Sequence, residues 1–180
     1  MYEFVDTDEM YTKTILPAEA MSYNGVFIEN EIPGYRTLYV SGRELMESEV
    51  QDETVNLLDG TNYLGKRYPS RTITVTYQLI ASTCLEFRDS FNKLNRLLKD
   101  EQVKIIFNDE PDKYFIGTKI GNSIPGPGSN SITGNIEIYC SDPFKYSDVL
   151  KEFIAEPNDN GVLEVTVIND GSVSVPIDYE

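Results

Sequence analysis

Between Arg71 and Ala81, the residues Ile73, Val75, Tyr77 and Leu79 alternate with Thr72, Thr74, Thr76 and Gln78. That period of two predicts a half-buried strand, and it is the strongest strand pattern in the chain. Directly after it the period changes. Phe87, Phe91, Leu94 and Leu98 recur at spacings of 4, 3 and 4, which draws one apolar stripe along a helix. Thr83-Cys84-Leu85-Glu86 opens this helix as a capping box, the Thr hydroxyl and the Glu carboxylate each satisfying a free backbone N–H. Arg96 and Lys99 suit the negative end of its dipole. A helix over about 84–99 is expected, with its stripe packed on the sheet rather than offered to a partner helix.

The rest of the chain reads as strands and turns. Asn24-Gly25 is a turn signal beside Val26, Phe27 and Ile28, and Pro33-Gly34 separates that segment from Tyr35–Val40, which suggests a hairpin of the two. Residues 44–64 are acidic and then turn-like, a long loop or a projecting hairpin. Strand patterns resume at Val103–Phe107, Tyr114–Ile120 and Ile132–Cys140, around a turn at 108–112 and a Gly/Pro-rich connection at 121–130. Ser141-Asp142-Pro143 stops the last of them. Val162–Ile168 and Val173–Ile177 flank Asn169-Asp170-Gly171-Ser172 as a final hairpin, too small to hold its own core. It either joins the main sheet or begins a second domain. Residues 1–20 show no sustained period and read as an arm or lead-in.

Composition narrows the function. The chain has 180 residues and a net charge of −15, with ordinary apolar and charged fractions for a folded domain. It contains no His, so Ser-His-Asp and Cys-His pairs, imidazole acid/base chemistry and His-bearing zinc sites are excluded. Cys84 and Cys140 lie far outside CxxC spacing. They bond only if the fold brings them together, and two buried free thiols are expected. Apolar runs are short against the ~20 residues of a membrane helix, and no signal-peptide pattern opens the chain. A soluble chain, cytosolic at synthesis, is the expectation. The charge is uneven: residues 1–64 carry net −10, residues 65–120 net +3, residues 121–180 net −8. Such acidity disfavours ordinary nucleic-acid binding. It serves solubility, or it makes a surface that sits beside DNA without adhering to it.

Candidate chemistry is thin. Gly60–Arg67 mimics a phosphate-cradling G-x-x-x-x-G-K-[ST] loop, but Arg67 replaces the magnesium-holding hydroxyl and a strand rather than a helix follows. Asp109, Glu110 and Asp112 lack the spacing of a calcium loop. The 12 tyrosines fit core edges and interfaces better than a sugar site. No catalytic, cofactor-binding or metal-binding residue is assigned.

The linear order of motifs carries more. Ser22-Tyr23-Asn24-Gly25, Ile32-Pro33-Gly34-Tyr35-Arg36-Thr37 and Val40-Ser41-Gly42-Arg43-Glu44 resemble the start of the distal tail protein (Dit) family of long-tailed siphophages. So do Arg67-Tyr68-Pro69-Ser70-Arg71-Thr72-Ile73, Phe87-Arg88 and Phe91-Asn92-Lys93-Leu94-Asn95. Ser141-Asp142-Pro143-Phe144-Lys145-Tyr146 resembles the end of that family's N-terminal domain. The likeness covers about residues 20–147, and residues 162–180 resemble the opening strands of the family's C-terminal domain, here shortened or reduced. The resemblance implies a mainly β fold, a β-sandwich or split barrel with one α-helix and an extended hairpin arm. It implies three parts: a lead-in at 1–20, a ring-forming domain at 21–147, and a linker with first C-terminal strands at 148–180. It further implies a structural hub at the distal end of the virion tail. There a ring of copies, a hexamer by this resemblance, would join the tail tube to tail-tip or baseplate proteins around the passing DNA, with no enzyme activity, cofactor or membrane. The alternative is a carbohydrate-binding adaptor that contacts the host wall through exposed tyrosines.

Overall fold

The computed structural model describes residues 15–57, 59–123, 130–157 and 160–173. The chain divides into two units, Met1–Asp148 and Val149–Glu180. The first opens with β1 (Met21–Tyr23), β2 (Val26–Phe27), the one-turn helix α1 (Ile28–Glu31) and β3 (Tyr35–Ser41). A separate pair follows, β4 (Glu49–Glu53) and β5 (Asn62–Arg67). Then come β6 (Arg71–Ile80), α2 (Cys84–Leu97), β7 (Val103–Phe107), β8 (Glu110–Ser123), β9 (Ser131–Cys140) and β10 (Tyr146–Ser147). The fold is mainly β, as expected, and antiparallel throughout its main sheet.

That sheet runs β2-β1-β7-β8-β9-β6-β3, with β10 on β8. It is an open sheet, not a closed barrel, because β2 and β3 end the path without pairing to each other. The 14-residue β8 joins its two halves: the first stretch pairs with β7 and β10, and Thr118–Ser123 pairs with β9 across a bulge between Lys119 and Gly121. One core spans both halves. Tyr23, Ile105, Phe107 and Phe115 belong to it together with Tyr35, Ile73, Val75, Tyr77, Leu79, Ile136 and Ile138.

The predicted helix begins and packs as its sequence requires. The Thr83 side chain accepts the Glu86 N–H at 3.2 Å, and the Glu86 carboxylate takes the N–H of Ser82 rather than of Thr83. Phe87, Leu94 and Leu98 are buried and Phe91 packs against them. Cys84 departs from expectation. It is a free, exposed thiol in the first turn, off the apolar stripe, whereas Cys140 is buried and its thiol is pushed up to about 11 by burial.

Three local expectations change. Tyr35–Ser41 pairs with β6 and not with the segment before it, and the hairpin lies instead across Asn24-Gly25, between β1 and β2. Ile28–Glu31 coils into α1, a second helix, because Ile28 and Ile32 both reach the core from one helical turn. Of Val162–Ile168, only β12 (Leu163–Glu164) is strand, and it pairs with β11 (Glu156–Pro157). The turn after it forms, Asn169 Oδ1 accepting the Gly171 N–H at 2.9 Å. Of the expected last strand, residues 174–177 lie outside the described residues, as does most of the 1–20 lead-in. Residues 17–20 are docked: Ala20 is buried and its carbonyl accepts the Asn108 N–H.

Two fasteners hold the first unit together. Arg43, its side chain 8% exposed, donates to Asp109 through both Nη atoms and to Glu19 Oε1 at 2.8 Å, and its guanidinium lies 4.8 Å from the Phe107 ring centre. This ties the lead-in, the end of β3 and the β7–β8 turn. At the other fastener, Tyr146 stacks on Tyr114 at 5.6 Å, its hydroxyl donates to Asp142, and Asp148 N–H reaches Asp112 O at 2.8 Å.

Strand β3 is bracketed by glycines that admit no side chain. A Cβ on Gly34 (φ 79°) would lie 1.9 Å from the Ile80 carbonyl oxygen, and one on Gly42 (φ 87°) 2.2 Å from that of Thr72. Gly34→Ala and Gly42→Ala should each lower stability by about 3 kcal/mol or more, the left-handed cost of ~1–2 kcal/mol plus a backbone clash. Urea unfolding midpoints check this. A second expectation concerns alkali. Burial pushes Tyr77 from 10.0 to about 12, and burial together with the Glu29 carboxylate pushes Tyr35 well above the usual range. Both rings therefore favour the fold fully below pH 10. The Tyr77 contribution is lost as pH rises through about 12, because the unfolded chain releases its proton first. Tyrosinate absorbance and circular dichroism followed together should show this loss, and Tyr77→Phe should reduce it.

Candidate assembly surface

The acidic segment 44–64 and the residues after it build a hairpin that stands apart from the main sheet. Its register runs from Glu49↔Arg67 to Glu53↔Asn62, with an irregularity between Gln51 and Asp52. Arg67 closes the base by donating from Nε and Nη2 to one oxygen of Glu49, at 2.7 and 2.6 Å. Thr61 Oγ1 donates to Asp52 Oδ2 at 2.9 Å near the turn. These exposed bonds contribute little stability each.

Sidedness is the informative property. Alternation places Val50, Asp52, Leu64 and Lys66 on one face, and the bulge brings Tyr63, opposite Asp52, to the same face. Glu49, Gln51, Glu53, Asn62, Gly65 and Arg67 make the other, wholly polar face. Val50 is 61% exposed, Tyr63 66% and Leu64 66%. The hairpin thus turns three exposed apolar side chains, Val50, Tyr63 and Leu64, to one face beside Asp52 and Lys66, with nothing of this chain upon them among the described residues. A lone two-stranded hairpin is marginal in water, so a face of this kind gains from a cover. The sequence signalled the projecting hairpin but not its sidedness. Tyr63 and Leu64 are neighbours, which regular alternation would send to opposite faces.

Gly60 lies in the hairpin turn and Lys66 in β5, opposite Val50, with its Nζ 5.3 Å from the Tyr68 ring centre. No helix starts there to meet a phosphate. Asp109 is held by Arg43, and Glu110 by Lys145 and Lys113, which keep its carboxyl below the usual range. Asp112 makes no triad with them: among the described residues no three acidic or Cys side chains converge. Tyrosines are dispersed or already in use. Tyr114 lies between Tyr146 and the Lys104 ammonium, 4.4 Å from its ring centre, and Tyr68 meets Phe144 edge-on. Tyr39, Tyr63 and Tyr139 are exposed on three different strands. Arg88, Lys93, Arg96 and Lys99 are exposed on or beside α2. No helix among the described residues is long and apolar enough to cross a membrane.

Comparison with known proteins agrees with this architecture. Residues 29–140 match the phage tail protein RIFT-related domain family. The Dit protein (gp 19.1) of phage SPP1, described as a paradigm of the hub adsorption apparatus in phages infecting Gram-positive bacteria, has the same fold. The TM-score is 0.66 at 25% identity, over 78% of this chain and 58% of that one. The chain therefore spans less than two thirds of the SPP1 protein's length. No curated protein sequence matches it. With more than half of its residues inside the family's pattern and its fold shared with SPP1 Dit, the chain belongs to the siphophage Dit family of phage tail proteins.

Proposed function

We propose that this protein is a non-catalytic hub subunit at the distal end of the phage tail, where copies close into a ring between the tail tube and the tail-tip proteins. The observation that carries this reading is the projecting hairpin with its uncovered apolar face. A heterologous contact, in which this face meets a different patch on the next copy, closes into a ring when the rotation completes. Family membership and the likeness to a hub protein support the same role, and family resemblance suggests six copies. In this reading residues 21–147 form the ring, and 148–180 are a linker with the first strands of a shortened or reduced C-terminal domain.

Charge bears on what the ring encloses. Acidic side chains on the wall repel phosphate, whereas each inward cation gains counterion release and holds the DNA. The acidic ends of the chain belong on the inner wall in this reading, and the basic face of α2 belongs outside.

Two experiments follow. Deleting residues 47–62, or making Val50→Asp with Leu64→Asp, should abolish self-association and leave the fold of the main sheet intact, with only the hairpin's strand signal lost from the circular dichroism spectrum of the deletion. Light-scattering mass across a concentration series reads this, and an oligomer indifferent to both changes removes the hairpin from the interface. Lysines placed at acidic positions of the assembled inner wall should slow DNA release from reconstituted tails. Release kinetics unaffected by them would reject the electrostatic part.

A further inference from the structure

Strand β3 is the last strand of the sheet path and has one strand partner among the described residues. Its outward N–H groups can be accounted for one by one. Ile80 N–H donates to Gly34 O at 3.0 Å, so under the register Tyr35↔Leu79 the N–H groups of Tyr35 and Thr37 point away from β6. The bulge between Thr37 and Tyr39 resets the alternation, and beyond it Val40 and Gly42 face outward. All four donors are taken within the chain. Tyr35 donates to Ile32 O at 3.2 Å, and Thr37 to Glu29 Oε1 at 3.0 Å. Val40 donates to Glu19 Oε2 at 3.1 Å, and Gly42 to Glu44 Oε2 at 2.9 Å.

Three of those acceptors are carboxylates, and they come from three separate places: the lead-in, α1 and the residues after β3. Glu29 is 3% exposed, and its Oε1 takes the Thr37 N–H. Glu19 is held in position by Arg43. An uncapped strand edge is a template for another strand, and charged side chains turned onto the edge are one means of blocking it. We infer that Glu19, Glu29 and Glu44 seal the β3 edge against strand addition by a second copy of this chain. Copies then meet through side-chain surfaces and not by continuing the sheet across β3.

The full chain serves for the test. In the unaltered protein, native-state hydrogen exchange should find the amides of Thr37 and Val40 as protected as the ladder amides of β6. Glu19→Ala with Glu44→Ala should speed exchange at Val40 and Gly42 by about tenfold or more. It should also produce new concentration-dependent species in light scattering. Glu19→Gln leaves one side-chain oxygen where Val40 N–H and Arg43 each need one, so it should speed exchange at Val40 and leave Gly42 unchanged. Adding Tyr39→Lys, which sets a charge on the opened edge, should suppress the new species. Val50→Asp with Leu64→Asp should not, so failure of the hairpin contact and failure of the edge seal remain distinct. If the double alanine variant does not fold, Glu44→Ala alone carries the test through exchange at Gly42. Rapid exchange of Thr37 and Val40 in the unaltered protein overturns the inference. So does exchange at Gly42 that is unmoved by Glu44→Ala.

Discussion

Ten consecutive residue pairs join Arg71–Ile80 to Ser131–Cys140, and the first unit is arranged around this ladder. On its inner face Ile73 stands opposite Ile138, Val75 opposite Ile136 and Leu79 opposite Ile132, all six buried. Directly opposed β-branched and aliphatic pairs are the unit of sheet stabilisation, and here they stack three deep. β3 adds to one side of the ladder and β8 to the other, and α2 leaves β6 with its apolar stripe already turned onto the core. The hairpin, too, is aimed by β6, because only residues 68–70 separate its second strand from Arg71. What projects from the body is held at its base by what is most deeply built into it.

The body and the hairpin satisfy their backbones differently. In the body, strands supply partners for strands, and side chains take over where strands run out, as the glutamates do along β3. In the hairpin, among the described residues, the backbone pairs only with itself and the apolar side chains find no core. The proposed assembly draws on both: a shape set beforehand, and a surface whose free energy falls when a neighbour covers it.

Much of this was legible in the sequence, for reasons that can be named. Periodicity exposed β6 and α2 because each has one buried face, and Thr83-Cys84-Leu85-Glu86 marked the helix start because capping is local chemistry. The turn at 108–112 was visible as well, though only Asn108-Asp109 lies outside the strands and Pro111 falls within β8. What escaped depended on contacts between distant residues. Glu29 reads as a surface acid in α1 until Thr37 is seen to need an acceptor, and Glu19 as part of a featureless lead-in until Arg43 and Val40 are placed beside it. The pairing of β3 with β6 rather than with its neighbour in sequence was hidden for the same reason. The sidedness of the hairpin was lost to a bulge, which breaks the alternation that sequence reading relies on.

The central ladder also determines the order in which the protein comes together. β7, β8 and β9 follow one another as a meander, whose pairings are local and form early. The pair Ile80↔Ser131, by contrast, encloses residues 81–130, and its loop must close before any of the ten pairs contributes. β3 docks onto β6 across a shorter loop, residues 42–73, and its seal is complete only when Glu19 has also come in from the lead-in. During synthesis residue 19 leaves the ribosome long before β9 does. The carboxylates are thus already present, tethered beside the strand they will guard, when the last strand of the ladder arrives.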